Sequence, residues 1–438
     1  MRLTWTDPAD LLPHALVQAV SGGVPVDDLA ARWSAAGGDP RPPRSGAGPI
    51  VSADLGRLAD DLLDEIDRRG FGALGERLEA VPDVPPMPGR VSEDRVRGAW
   101  LGRAIGCVLG KPVEKIPREG IRAIAAATGN WPITGYFTEV GLPAEIGQRW
   151  PWNRRSRVTS LVETLDGIPE DDDLNFTMLA LAMVERHGDK LATADVAQAW
   201  LDNLPAGRVF TAERAAYRNL LLGIEPERAA VVRNPFREWI GALIRADFYG
   251  WAQPGDPSAA ARMADADALL SHRGDGVYGA RWVAGMASAA LVATDVSSVL
   301  SAGLAVVPPD SRVSEAVRFG IALAEDDAND EHALDELHAR YGHLHWVHVL
   351  NNAALIAYAL AASDGELGPA IAIAVSGGWD TDSAGATVGA VCGALSGAAR
   401  LPRSWTDPLG DRFRTTLTGF DGVSVAELAA RTCAVASR

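Results

Sequence analysis

The chain has 438 residues, of which 47% are hydrophobic and 22% charged, a balance that buries a sizeable core and excludes a disordered chain or a fibre. Its 57 Asp and Glu outnumber 41 Lys and Arg, and a formal charge of −16 excludes a broad, sequence-independent grip on nucleic acid or anionic lipid. The 45 glycines and 27 prolines exceed what a loop-poor helical protein carries, unless some glycines serve inside helices.

At the N-terminus, Asp7, Pro8 and Asp10 interrupt what a signal peptide would keep apolar. Cys107, Cys392 and Cys433 match no thiolate metal spacing and no disulfide framework, so a reducing, cytoplasmic setting is expected. The longest apolar runs, 283–307 and 353–375, contain Asp295 or Asp364 and Glu366, so they read as core helices and no membrane association is expected. Lysine occurs only at 111, 115 and 190, which with the high alanine content reads as compositional bias.

Two proline-rich stretches, 37–49 and 81–89, forbid helix and read as connectors. Between them Leu55, Leu58, Leu62, Leu63 and Ile66 recur at helical spacing. Residues 1–88 are therefore expected to form a small helical appendage and residues 89–438 the main domain. Within the main domain the apolar period predicts helices over 174–185, 192–204, 212–222, 280–293, 313–324 and 350–362, with few alternating runs of strand type. The fold class expected is all-α, with no solenoid repeat.

The first segment of note, RGAWLGRAIGCVLGKPVE, places Gly98, Gly102, Gly106 and Gly110 four apart. Each interior glycine costs a helix roughly 0.5–1 kcal/mol relative to alanine. Four on one face imply a compensating close approach of another helix. Next, Glu170, Asp171, Asp172 and Asp173 stand at the head of a predicted helix. Acids cap helix N-termini, but four adjacent carboxylates repel one another beyond what capping needs, and a bound cation relieves that. Further on, Ser271 and His272 precede the run R-G-D-G-V-Y-G, read as a loop whose backbone N–H groups approach a diphosphate. His343, His345 and His348 lack the partners of a zinc site and read as packing or hydrogen-bonding residues.

The last segment, Gly377-Gly378-Trp379-Asp380-Thr381-Asp382-Ser383, puts two carboxylates and a hydroxyl on a turn before a helix, where they can converge on hard cations. The helix that follows carries Gly385, Gly389, Gly393 and Gly397, a second ladder with the same spacing. Paired with the acids at 170–173, this turn points to a two-metal carboxylate site.

Taken together, the segments at 106–114, 170–174 and 380–397 resemble the ADP-ribosylglycohydrolase family, over about residues 92–400. The resemblance implies a compact, orthogonal bundle of helices. It also implies hydrolysis of an ADP-ribosyl glycosidic bond at two Mg2+ ions, with Mn2+ as a substitute. The ligands it implies are Asp171, Asp172, Asp173, Asp380, Asp382 and Ser383. Glu114 matches a mobile glutamate that works beside the scissile ribose, with Asp172 and Asp382 as its catalytic companions. Substrate contacts are assigned to Ser271, His272, Gly274, Gly276 and Tyr278. Three positions depart from the family pattern: Asp171 stands for a ligating Thr, Leu174 for a second Thr, and Cys107 for an Asp. The expected partner is an ADP-ribosylated protein or molecule. Two alternatives remain, a glycosidase for another ribosyl or nucleoside-like compound and a catalytically silent nucleotide-binding homologue.

Overall fold

The computed structural model describes residues 3–73, 78–326 and 329–437. Among these are 21 α-helices, seven short 3-10 turns and two isolated β-bridges, with no sheet, so the all-α expectation holds. The helices fall where the apolar period places them: Asp172–His187, Thr193–Asn203, Thr211–Leu221, Arg312–Glu325 and Val349–Ala362 each lie within a few residues of their predicted spans. One element differs. The run read as a loop after His272 is mostly helix Asp275–Ala290, and Arg273 and Gly274, the latter at φ +54°, keep a loop conformation.

The contacts divide the chain into two compact units. One comprises residues 1–80, 191–242 and 266–277, so the N-terminal segment, expected to end at 88, shares a unit with two later stretches. Its helix Pro8–Ser21 begins with Pro8 after an Asp7 N-cap, the arrangement a helix start favours. The His14 ring packs against Phe236 and Trp239, with Trp5 completing the aromatic cluster. Gln18 Nε2 donates to Glu238 Oε2 at 2.7 Å, and Arg233 pairs with Asp60 and Asp64 of the helix Ala53–Arg68.

The other unit comprises residues 81–190, 243–265 and 278–438. At its centre the helix Glu93–Gly110 runs antiparallel to the helix Thr381–Ser396, and each carries one glycine ladder. Gly98 faces Gly393, Gly102 faces Gly389 and Gly106 faces Gly385. A Cβ added to any of the six would lie closer than 3.0 Å to the carbonyl oxygen opposite, so the two backbones touch directly. The register continues at both ends. Gly110 meets Thr381, whose hydroxyl donates to the Gly110 carbonyl at 2.8 Å, and Gly397, at φ +77°, meets the Asp94 carboxylate. The glycines therefore recover their helix penalty as backbone contact over four turns. No helix of the described residues is long and apolar enough to cross a membrane.

Candidate metal centre

The backbone contact of the two glycine helices brings their ends together. The first helix leads through the turn Lys111–Val113 to Glu114, while the second starts at Thr381 between Asp380 and Asp382. A third helix, Asp172–His187, completes the centre. Its N-cap Asp171 accepts from the Asp173 N–H at 3.0 Å.

The four acids at 170–173 separate by role. Glu170 turns toward Asn175 and Thr416, which donate to its Oε1 at 3.2 and 3.3 Å. Asp171 caps the helix and receives the Lys111 ammonium, which also donates to the Glu170 carbonyl at 2.8 Å. Asp173 is buried; its Oδ2 accepts the Ser383 hydroxyl at 3.3 Å, which links the acidic helix head to the closing motif. Asp173 Oδ1 has no hydrogen-bond partner, and the Arg103 guanidinium stands 3.6 Å away.

Asp380 and Asp382 are both buried. Asp380 occupies the N-cap position, yet its side chain makes no capping hydrogen bond, so its carboxylate is not spent on the helix. Asn352 orients it by accepting the Asp380 N–H at 3.2 Å, and Asn352 is itself held by the carbonyls of Trp346 and His348 at 3.0 and 2.8 Å. The preceding turn is fixed by Gly378 at φ +74° and by His338, which stacks on Trp379 with ring centres 4.3 Å apart. Glu114 accepts from Asn153 Nδ2 and lies 3.2 Å from the Lys115 ammonium. Lys115 adopts φ +72°, a conformation that costs a non-glycine residue roughly 1–2 kcal/mol.

Among the described residues, two groups of potential ligand atoms lie within 4.8 Å of one another: Cys107, Asp171 and Asp173, and Glu114, Asp380 and Asp382. Burial drives the carboxyls of Asp172, Asp173 and Asp380 well above the usual range, reinforced by their acidic neighbours. The Asp382 carboxyl is pushed up to about 7 by burial and by the charges of Glu114 and Asp171. Burial also acts on Asp171, but the Lys111 ammonium outweighs it and holds that carboxyl below its ordinary value. Concentrating carboxylates in this way destabilises their charged forms. A divalent cation reverses that, and the all-oxygen group of Glu114, Asp380 and Asp382 suits a hard ion. The residues present therefore fit a divalent cation.

Arg103 anchors the centre from the first glycine helix. It is fully buried, donates to the Asp173 carbonyl at 3.2 and 2.9 Å, and pairs with the buried Asp247. Burial nevertheless pushes the Asp247 carboxyl up to about 6.

Of the residues expected at the site, Glu114, Asp171, Asp172, Asp173, Asp380, Asp382 and Ser383 all belong to the second unit. Ser271, His272, Gly274 and Gly276 belong to the first. Ser271 and His272 are fully buried and pair with one another, Oγ to Nδ1, at 2.8 Å. A Cβ on Gly274 would meet the Glu238 carboxylate, and one on Gly276 the Arg237 carbonyl. Tyr278 belongs to the second unit and is half-buried. His348 caps the helix Val349–Ala362, and burial pushes its imidazole down to about 3, as suits a packed residue. The residues that sequence reasoning missed are Lys111, Arg103, Asn153, Asn352 and Asp247. For Lys111 a signal existed: two of the three lysines in the chain lie within one turn of Glu114.

The sequence profile of the ADP-ribosylglycohydrolase family matches residues 89–436. The chain is 25% identical over 325 residues to an uncharacterized protein of Archaeoglobus fulgidus, covering 73% of this chain and 93% of that one. A solved structure of an ADP-ribosylglycohydrolase-related protein complex superposes with a TM-score of 0.49 at 20% identity, over 79% of this chain and 98% of that one.

Proposed function

The chain belongs to the ADP-ribosylglycohydrolase family, and from that premise we propose that it hydrolyses the bond joining the anomeric carbon of an ADP-ribosyl ribose to its carrier, with magnesium or manganese as the metal. The observation that carries this reading is the junction of the two distant motifs, in which the Ser383 hydroxyl donates to Asp173 Oδ2 at 3.3 Å. Asp172, Asp173, Asp380, Asp382 and Ser383 would hold the metal, with Asp171 beside them. A divalent cation held there supplies Lewis acidity and compensates the buried negative charge.

The chain's own groups do the rest. Glu114, held by Asn153 and Lys115, takes a proton from the attacking water once the loop carrying it closes on the ribose. The water oxygen bonds to the anomeric carbon, the glycosidic bond breaks, and the leaving atom departs with the proton that Glu114 took from the water. Asp172 and Asp382 orient the ribose and the water, which lowers the entropic part of the barrier. For the segment 271–278 we propose Tyr278 as the side-chain contact with substrate, because it is half-buried while Ser271 and His272 are fully buried.

The test is release of ADP-ribose by the purified chain, with magnesium or manganese, from ADP-ribosylated arginine, serine and nucleic acid. Release from one of them that stops on chelation supports the reading. Release from none overturns it. If ribose is released from a simple nucleoside instead, the substrate is the smaller ribosyl compound.

A further inference from the structure

We propose that the ammonium of Lys111 takes the place of one of the two cations expected in the acidic centre, so that the chain binds a single divalent ion, at Asp380 and Asp382 on the Glu114 side. The inference rests on the reading of this centre as a divalent-metal site, and it concerns how the charge is divided.

The two groups of ligand atoms are unequal. In the group of Cys107, Asp171 and Asp173, both oxygens of Asp171 are already committed: Oδ1 accepts the Asp173 N–H at 3.0 Å, and Oδ2 receives Lys111. The Lys111 side chain is 6% exposed, too buried to swing out into water, and its second hydrogen bond, to the Glu170 carbonyl, fixes its position. Asp173 has the Arg103 guanidinium 3.6 Å away. Two buried cationic side chains thus face two carboxylates. The third member, Cys107, offers a soft sulfur that magnesium and manganese do not favour. Cys107 and Lys111 stand one helical turn apart on the same face, and both lie beside Asp171.

In the group of Glu114, Asp380 and Asp382 the balance is opposite. The nearest cationic side chain is Lys115, 42% exposed, which pairs with Glu114 at 3.2 Å and lies over the Trp346 ring at 5.4 Å. Asp380 and Asp382 are buried, and among the described residues no ammonium or guanidinium forms an ion pair with them like that of Asp171. A divalent ion is stabilised where carboxylates outnumber fixed cations, and repelled where an ammonium already lies among them.

The experiment counts ions in the full chain. Protein stripped of metal is equilibrated with Mn2+, bound manganese is measured per chain, and electron paramagnetic resonance distinguishes isolated from spin-coupled ions. The wild type is expected to bind one ion with the spectrum of an isolated Mn2+. Lys111→Met, which removes the charge and keeps the bulk, is expected to bind two, with a coupled signal. Two ions in the wild type, or one in Lys111→Met, overturn the proposal. No ion in the wild type overturns the metal reading as well, so the two failures differ. Should Lys111→Met lose its circular dichroism, Asp171→Asn decides: one bound ion upholds the assignment of the metal away from Asp171, and none overturns it.

Discussion

Gly102 and Gly389 face one another across two antiparallel helices so closely that a methyl group on either would strike the carbonyl oxygen of the other. Neither obstacle is a side chain that can turn aside, so the helices would have to separate. Alanine at 102 or 389 is therefore expected to destabilise the protein by about 3 kcal/mol, the upper range for overpacking. Gly56 is the control, because it lies inside the helix Ala53–Arg68 with nothing within 4 Å of an added Cβ. There the same change should stabilise by about 0.5–1 kcal/mol. Urea denaturation of the three variants checks both signs.

Asp380→Ala and Asp382→Ala should each abolish bound metal and turnover together. Asp380 makes no side-chain capping bond, so its helix should persist. Metal analysis, the ADP-ribose assay and circular dichroism on the same preparations read the three expectations. Turnover that survives either change places the chemistry elsewhere.

The metal-free protein should lose stability as the pH rises. A buried carboxyl whose folded value lies above its unfolded one binds its proton more tightly when folded. Its contribution is complete below the unfolded value near 3.8 and disappears as the pH passes the folded value, about 7 for Asp382. The carboxyls of Asp172, Asp173 and Asp380 act in the same direction. Thermal unfolding of stripped protein at pH 5, 6, 7 and 8 should show a falling midpoint. Manganese should restore it most at the highest pH, where the carboxylates are ionised. A midpoint that rises with pH in the absence of metal would contradict this account.

Arg103→Leu should cost about 3–5 kcal/mol, because it leaves the buried Asp247 without its partner. Replacing both residues, Arg103→Leu with Asp247→Leu, removes the stranded charge and should recover part of the loss. Denaturant titration of the single and double variants measures the recovery. A double variant no better than the single one would mean that Arg103 acts mainly through the Asp173 carbonyl.

The helices and the acidic motifs were legible because both are local. An apolar face repeats every turn, and the residues of Asp380–Ser383 lie side by side in the chain. The two glycine ladders each announced a close neighbour without naming it, since a ladder describes only its own face. Lys111 drew attention only through its closeness to Lys115 and Glu114, because nothing in its local sequence gives a sign of Asp171 sixty positions away. The helix start at Asp275 was misread as a loop because Gly274, Gly276 and Gly279 resemble a flexible run. At Gly276 the glycine answers instead to the Arg237 carbonyl, which leaves no room for a Cβ. The association of residues 1–80 with 191–242 depends on pairings such as His14 with Phe236, which no local pattern encodes.

The antiparallel glycine contact also makes the centre indifferent to how much chain separates its halves. More than 250 residues run between Gly110 and Thr381, and two stretches within that interval, 191–242 and 266–277, belong to the other unit. The distance between the motifs is set by backbone touching backbone, so loops in between can lengthen or shorten without moving a carboxylate. One residue inserted within either ladder does the opposite. It turns everything beyond it by about 100° and shifts it by about 1.5 Å along the axis, which points the acids away from one another. Length variation among related chains should therefore gather in the connecting segments and be absent between Gly98 and Gly110 and between Thr381 and Gly393.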